Sequence, residues 1–533
     1  MIRHHLARSL ALLPALALAG VAAMPGSASA QQMAVEDEVI QEIWEHAMED
    51  SQIRSLAQTL MDSIGPRLTG SLSMDAAHDW AVETYEGWGI DARNEEYGTW
   101  VGWDRGLSHI DLIEPRRRSL EGMNLAWSPG TEGPVEGPVV QVPEVSDPEE
   151  FEAWLEDVEG AYVLVSFPEP TCRSDGNWEE YATSETFERM QDERNEARGA
   201  WQDRLEATGL SRDELHQALE DAGAAGIVTL NWSGGWGANR VFDSRTREIP
   251  TFELSCEDYG LVSRMAEKDQ GPVLRVDLEA EFLDDVPVFN TVAEIPGTEK
   301  PDEYVMLSAH FDSWDGSSGA TDNGTGTVLM MEVMRVLQEV LPDPKRTILV
   351  GHWGGEEQGL NGSRAFVEDH PDIVDGMQVL LNQDNGTGRI QNISMQGFTE
   401  AGSHFGPWLG QLPGEVAGHI DLSIPGMPSS GGTDHAAFVC AGAPAFNLSA
   451  VTWDYFTYTW HTNRDTFDKI VFDDLKNNVV VTASLAYLAA QDPERVSRQK
   501  RDRFPVSPQT GEEGEWPECQ SPARSVDESG RMP

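Results

Sequence analysis

The stretch that decides the fold is residues 307–327, which reads LSAHFDSWDGSSGATDNGTGT. An apolar run over residues 304–309 predicts a buried strand that ends at His310. A loop rich in glycine and serine then leads to Asp322, and a nearly all-apolar segment over residues 328–341 predicts a buried helix. Ligands bind beyond the carboxyl ends of strands in open α/β sheets, so a histidine and an aspartate at this place indicate a metal site.

Two further strand-and-loop units follow the same pattern. Residues 347–353 and 378–381 predict buried strands, which are followed by acidic loops that hold Glu356, Glu357 and Asp384. Strands that alternate with helices and end in acidic loops are typical of a parallel sheet. The sequence therefore predicts an α/β fold with a mostly parallel or mixed central sheet flanked by helices.

The charge balance of the chain excludes one class of partner. Across 533 residues there are 37 Lys and Arg against 91 Asp and Glu, a formal net charge of −54. A nucleic-acid partner requires a basic face for its phosphates, so no nucleic acid is expected to bind. Four cysteines, Cys172, Cys256, Cys440 and Cys519, have no zinc-finger spacing. They allow one or two disulfides whose pairing the sequence leaves open.

The first thirty residues have the pattern of a signal peptide. Arg3 and Arg8 give a positive start, residues 10–23 form a short apolar core, and residues 28–30 read ASA, a small-residue cleavage signal. We therefore expect cleavage near Ala30 and a mature protein that is secreted or periplasmic. No later run is apolar enough to predict a membrane anchor.

Changes of pattern along the chain predict its domain organisation. Near residue 132 the chain enters a second series of short strands and helices, which includes a highly charged helical stretch over residues 179–210. The pattern of buried strands and acidic loops resumes near residue 287. We expect a first catalytic part at 31–128, an inserted α/β domain at 129–285, a second catalytic part at 286–495 and a poorly packed polar tail at 496–533.

The candidate site residues form an inventory suited to two metal ions. Five histidine or carboxylate side chains could bind metal: His310, Asp322, Glu357, Asp384 and His461. Two histidines and three carboxylates suit two divalent ions bridged by one carboxylate. Glu356 is left over beside a ligand, which is where a general base would stand.

These residues lie in motifs that resemble the co-catalytic di-zinc exopeptidases, the group of bacterial secreted aminopeptidases and plasma glutamate carboxypeptidase. The inserted segment resembles a protease-associated domain through AGAAGIV at 222–228 and IPTFELS at 249–255. The start GPRLTG at 65–70 also resembles the amino-terminal segment of the family. The motifs that carry the resemblance in the second part are HFDS at 310–313, GATDNG at 319–324, GEEQGLNGS at 355–363, NQD at 382–384 and HTNRDT at 461–466.

The resemblance implies a role for each candidate ligand. Asp322 would bridge two zinc ions per chain. His310 and Glu357 would complete one ion's site, and Asp384 and His461 would complete the other.

Further roles implied by the resemblance concern the residues around the ligands. Glu356 would take a proton from a water held between the ions and pass it to the leaving amine. Asp312 would hold His310 in its ligating tautomer from outside the ligand set. The peptide bond between Asp322 and Asn323 would be cis.

The sequence departs from the family pattern at one place. The glutamate carboxypeptidase branch has a tyrosine before the second ligand histidine, where it helps to hold the developing oxyanion, and this chain has Trp460. Tyr455 or Tyr458 could supply the missing hydroxyl. His435, in SGGTDH at 430–435, resembles a loop near the substrate pocket, although a structural role for it is equally compatible with the sequence.

The resemblance implies a secreted zinc-dependent exopeptidase that acts on peptides or dipeptides. Two rivals stay open at this point. One is a glutaminyl cyclase-like transferase with a single zinc, and the other is a non-catalytic, receptor-like binding protein on the same fold. Neither the substrate end that is cleaved nor the oligomeric state can be read from the sequence.

Overall fold

The computed structural model describes residues 36–506 and 511–526. The signal-peptide prediction for residues 1–30 lies outside the described residues. Within them the strands are β1 Asp91–Glu114, β2 Arg118–Ser119, β3 Gly122–Asn124, β4 Val135–Gln141, β5 Tyr162–Leu164, β6 Gly226–Thr229, β7 Thr251–Leu254, β8 Val273–Ile295, β9 Lys300–His310, β10 Arg346–Trp353, β11 Met377–Asn382, β12 Ile390–Ser394, β13 Asp421–Ser423 and β14 Ala445–Ala450.

The helices alternate with these strands along most of the described chain. Short helical turns also occur at Thr59–Ile64, Ala320–Gly324 and Phe467–Lys469. The α-helices are α1 Glu38–Met48, α2 Ile53–Gln58, α3 Leu72–Gly87, α4 Pro148–Leu155, α5 Asp175–Tyr181, α6 Ser184–Ala207, α7 Arg212–Asp221, α8 Cys256–Glu267, α9 Thr325–Val340, α10 Asn361–Asp369, α11 Pro371–Gly376, α12 Gly402–Leu409, α13 Gly414–Ala417, α14 His435–Cys440, α15 Tyr455–Tyr458 and α16 Phe472–Gln491.

The central sheet is mixed, as the sequence predicts. Strands β14, β11, β9 and β10 run parallel and adjacent in that order. Antiparallel neighbours, β12 beside β14 and β8 beside β10, continue the sheet on either side. Helices α9 and α16 contribute to the same apolar core as β9, so the predicted flanking by helices is confirmed.

Helix α9 shows how the buried segment after the site is stabilised. Its side chains are buried from Thr325 to Leu337, as expected for a helix packed against a sheet. The two charged members, Glu332 and Arg335, pair at 2.9 Å, and Glu332 also accepts a bond from the Gln52 backbone N–H. The buried charge is therefore paired and hydrogen-bonded, as the cost of desolvation requires.

Two long strands connect the catalytic part to the inserted segment. Strands β1 and β8 pair antiparallel from Asp91 opposite Glu294 to Glu114 opposite Val273. The second half of β8 pairs with β10, whereas its first half pairs with β4, which begins the series β4, β5, β6 and β7. The apolar residues of that series form clusters separate from the core around α9.

The domain limits at 128 and 285 stay a prediction. Separate apolar clusters support an inserted unit, but the limit at 285 falls within the continuous pairing of β8 with β1. Ile110 and Leu112 of β1 already pack in the cluster of the insert, and β8 runs past residue 285 without a break. The change of core lies inside the long strands, where no composition change marks it.

The described carboxyl-terminal residues, 496–506 and 511–526, contact the catalytic part at several points, but beyond Val496 their side chains are half-buried or exposed, so the expectation of a poorly packed tail stays a prediction. A disulfide joins Cys519 to Cys440, and another joins Cys172 to Cys256. The Arg524 guanidinium forms an ion pair with Asp369 at 2.8 Å. None of the helices in the described ranges is long and apolar enough to cross a membrane.

Candidate metal centre

The three adjacent strands β10, β9 and β11 bring the candidate ligands to one edge of the sheet. His310 is the last residue of β9, and Asp384 lies two residues beyond β11. Glu357 stands in the loop after β10. Because these strands are parallel, their carboxyl ends meet at the same edge, where the loop of Asp322 and the loop of His461 also arrive.

The candidate ligands form two groups that share Asp322. In the first, His310 Nε2 lies 3.5 Å from Asp322 Oδ1 and 3.4 Å from Asp384 Oδ1. In the second, His461 Nε2 lies 3.3 Å from Asp322 Oδ2 and 2.9 Å from Glu357 Oε2. The ligand-type atoms within each group all lie within 4.8 Å of one another. All the sequence-predicted ligands are thus brought together, and Asp322 faces both groups.

The predicted division of ligands between the ions is wrong. The sequence analysis paired His310 with Glu357 and Asp384 with His461, whereas the structure groups His310 with Asp384 and Glu357 with His461. The reason is the strand order, because β11 lies directly beside β9 and delivers Asp384 to His310. The His461 loop reaches the sheet edge against the loop after β10.

The chemistry of this site fits two cations. Asp322 Oδ2 and Glu357 Oε1 are buried without a hydrogen-bond partner in the described structure, although buried carboxylates normally have one. Burial raises the pKa of Glu357 to about 7, with His461 acting in the opposite direction. Each group offers one imidazole and two carboxylates, which are ligands that zinc accepts with a further position open.

The loop that carries Asp322 is held by residues outside the ligand set. The Asp322–Asn323 peptide is cis, as the resemblance implies. The Asp465 carboxylate accepts hydrogen bonds from the backbone N–H groups of Thr321 at 2.9 Å and of Asp322 at 3.0 Å. The sequence analysis assigned no role to Asp465. This residue lies in the HTNRDT motif at 461–466, and its place there is the signal that could have identified it.

Arg67 is a second residue whose role the sequence did not reveal. Its guanidinium is fully buried and donates to the carbonyls of Phe311, Gly65, Ser318 and Gly319 at 2.7–2.9 Å. Burial lowers its pKa to about 10, while nearby carboxylates act in the opposite direction. Arg67 therefore fixes the loop between β9 and α9 and places a positive charge beneath the acidic site.

Asp312 acts through two different groups. His310 Nδ1 lies 3.0 Å from the backbone carbonyl of Asp312, but 3.7 Å from its carboxylate. The carboxylate instead accepts the backbone N–H groups of Glu356 and Glu357, each at 3.1 Å. The carbonyl accordingly orients His310, and the carboxylate holds the loop that carries the two glutamates.

Glu356 lies beside the ligand groups and belongs to neither. Burial raises its pKa well above the ordinary value, and Asp384, Asp434 and Glu357 add to the effect while His310 opposes it. Such crowding of carboxyl groups favours cations between them. Glu356 therefore lies close to the candidate ligands and is not one of them.

The four candidates for contact with substrate or oxyanion differ in where they lie. Tyr455 is buried near Asp322 and Asp384; burial, followed by these two carboxylates, raises its pKa well above the ordinary value. Trp460 stacks on His461 with ring centroids 4.0 Å apart, and Tyr458 lies against Gly235 of the inserted segment. His435 is buried, which lowers its pKa to about 4, and neither ring nitrogen has a hydrogen-bond partner among the described residues.

Three comparisons with known proteins support a relation to the co-catalytic zinc exopeptidases. Residues 290–486 match the model of peptidase family M28. Carboxypeptidase Q of Bos taurus is 27% identical over 443 residues, which cover 82% of this chain and 85% of the relative. The chain is thus similar to peptidase family M28 over residues 290–486, and these similarities support a hydrolase of the peptidase class.

Two solved structures share the fold. The peptidase M28 precursor from Shewanella amazonensis aligns with a TM-score of 0.61 at 24% identity, over 86% of this chain and 97% of that chain. The zinc aminopeptidase BSAP from Bacillus subtilis aligns with a TM-score of 0.52 at 19% identity, over 86% and 97% respectively. These alignments extend through most of the chain, well beyond the residues matched by the family model.

Proposed function

We propose that this protein is a secreted zinc-dependent exopeptidase that holds two zinc ions per chain and cleaves terminal peptide bonds or dipeptides. The observation that carries the proposal is the sharing of Asp322 between two complete ligand groups. One ion would be held by His310, Asp322 and Asp384, and the other by Asp322, Glu357 and His461. A single-zinc transferase would need only one of these groups.

The bound ions would supply Lewis acidity and lower the pKa of a water at the site. Glu356 would accept the proton that this water loses and deliver it to the leaving nitrogen, because it lies beside the ligands without being one. The Asp312 carboxylate would keep the Glu356 backbone in place through its 3.1 Å hydrogen bond.

Tyr455 is the best-supported donor to the developing oxyanion. It lies within reach of the charges of Asp322 and Asp384, at the centre of the site. The Trp460 ring is instead packed against His461, and the Arg240 guanidinium lies 5.2 Å from its centroid. A tyrosine hydroxyl can donate to an oxyanion that forms next to the ligand groups.

The inserted segment would restrict the substrate to chain ends. Ser233 Oγ donates to the Thr457 carbonyl at 2.6 Å, and Arg240 donates to the Phe456 carbonyl at 3.0 Å. These contacts bring the insert against the loop that carries His461. An insert in this place leaves less room for a chain that continues past the site.

The similarity to known peptidases bears on which end of the peptide substrate is cleaved. The similarity to carboxypeptidase Q over most of both chains supports action on the carboxyl end. The aminopeptidase shares the fold at lower identity, which carries no specificity by itself. Export rests on the pattern of residues 1–30, and amino-terminal sequencing of the exported protein should start near Gln31.

A substrate panel tests the proposal. Aminoacyl-nitroanilides, amino-blocked peptides with a free carboxyl end, free dipeptides and doubly blocked peptides would be assayed with the wild type and Glu356→Ala. We expect turnover of at least one class with a free end, little turnover of doubly blocked peptides, and loss of turnover in the variant. Efficient cleavage of doubly blocked peptides, or no cleavage by protein loaded with two ions, would contradict the proposal.

A further inference from the structure

The two ligand histidines are oriented by different means. His310 Nδ1 lies 3.0 Å from the Asp312 carbonyl, the usual arrangement for a metal-ligating histidine. His461 Nδ1 is buried, and no atom in residues 36–506 or 511–526 accepts a hydrogen bond from it. Some other contact must therefore hold the His461 ring in line with Asp322 and Glu357.

Aromatic rings surround His461. Trp460 stacks on it at 4.0 Å with an interplanar angle of 27°. Phe242 meets it edge-on, with centroids 5.2 Å apart and an angle of 86°, and Trp314 lies 6.1 Å away. Phe242 and Trp314 also pack edge-on against each other at 5.2 Å. Of these three rings, only Phe242 comes from the inserted segment.

The same part of the insert also holds the backbone of His461. The Val241 N–H donates to the His461 carbonyl at 2.8 Å, and Arg240 bridges Thr462 in antiparallel fashion. His461 has a φ of +59°, a conformation that residues with a side chain rarely adopt unless the surroundings hold it. The hydrogen bond from Val241 contributes to that restraint.

Reciprocal hydrogen bonds extend this restraint to Asn463. The Asn239 N–H donates to Asn463 Oδ1 at 3.0 Å, and the Asn463 N–H donates to the Asn239 carbonyl at 3.0 Å. Asn239 is anchored within the insert, because its side-chain amide donates to the Leu254 carbonyl of β7. Residues 239–242 therefore tie the His461 loop to the sheet of the insert.

From these contacts we infer that the insert completes one of the two metal sites, with Phe242 as a positioning residue for His461. The inference rests on the two-ion site proposed above. The ion held by Asp322, Glu357 and His461 should depend on the docking of residues 239–242. The ion held by His310, Asp322 and Asp384 should not, because β9, β11 and the Asp312 carbonyl set the geometry of that group.

The test measures zinc bound per chain at buffered free zinc concentrations. Phe242→Ala removes the ring, Phe242→Leu keeps much of its apolar volume, and Phe252→Leu changes a buried residue of the insert core. Loss of an outer partner of a ligand histidine typically lowers metal affinity about 10–100-fold. We expect Phe242→Ala to weaken one equivalent by that factor while the other equivalent binds as in the wild type.

The controls separate positioning from a general loss of structure. Phe242→Leu should retain more of the affinity than Phe242→Ala, and Phe252→Leu should lower thermal stability while keeping the zinc dependence of the wild type. Asn463→Ala, which removes one reciprocal hydrogen bond, should weaken the same equivalent as Phe242→Ala.

Three results would overturn the inference. One is wild-type zinc binding in Phe242→Ala, another is equal weakening of both equivalents, and the third is the same effect from Phe252→Leu. A wild type that binds only one ion would instead overturn the proposed two-ion function, so the two failures can be told apart.

Discussion

Replacement of Glu356 by alanine should separate proton transfer from metal binding. Glu356 belongs to neither ligand group, and its contact with Asp312 is made by the backbone N–H, which alanine retains. A positioned general base contributes about a hundredfold to ten-thousandfold to the rate. This corresponds to about 2.7–5.4 kcal/mol of transition-state stabilisation, because each tenfold change is about 1.36 kcal/mol. We therefore expect such a fall in kcat with metal content and folding nearly unchanged.

The neighbouring variant should behave in the opposite way. Glu357 Oε2 lies 2.9 Å from His461 Nε2 and forms part of the second ligand group. Glu357→Ala leaves that group with two ligands, so one ion should be lost or weakened. Added zinc should restore part of the activity of Glu357→Ala and none of the activity of Glu356→Ala.

Metal content, thermal unfolding and turnover would be measured side by side for both variants. The exposed Glu415 provides a matched control, since Glu415→Ala should leave all three properties unchanged. Loss of metal in Glu356→Ala, together with full metal content and reduced rate in Glu357→Ala, would mean that the roles are reversed. Full activity in Glu356→Ala would refute the mechanism.

Three more perturbations test how the fold supports the site. The double variant Cys440→Ser, Cys519→Ser opens a loop with a sequence separation of 79, so its free energy of unfolding should fall by about 4.5 kcal/mol on the chain-entropy model, as measured in urea without reductant against the disulfide-bonded wild type. Arg67→Met leaves buried carbonyls without a donor and should cost about 3 kcal/mol or more in the same assay; an unchanged midpoint would contradict the role of Arg67. Burial raises the pKa of Glu253 to about 8 from 4.5, so its contribution to stability is complete below 4.5 and is lost as pH rises through 8. Glu253→Gln should therefore gain thermal stability relative to the wild type between pH 5 and pH 8, and a constant difference across this range would contradict the assignment.

Local sequence signals predicted the elements around the site. The apolar run at 304–309 lies within β9, and the apolar segment at 328–341 corresponds to α9, which begins at Thr325. These elements could be predicted because burial on all sides leaves a continuous apolar run, and glycines mark the turn between them. Four of the candidate ligands could be predicted because each follows such a run or the loop after it, whereas His461 could be predicted only from the HTNRDT motif at 461–466.

Contacts between distant parts of the chain could not be predicted in this way. The grouping of His310 with Asp384 depends on which strand lies beside β9, and no local pattern reports strand order. The packing of the terminal residues depends on Cys519 meeting Cys440, 79 positions earlier in the chain. The restraint on His461 likewise comes from residues more than two hundred positions away. Composition alone gives no signal for these contacts, because each depends on residues that are distant in the sequence.

The most direct test of the whole account is the number of zinc equivalents in active protein purified without chelator. Elemental analysis would be combined with stepwise removal and return of zinc, while turnover is followed on the best substrate of the panel. Two ligand groups that share Asp322 predict close to two equivalents per chain, with full activity only when both are bound. Full activity with a single equivalent would contradict the central claim.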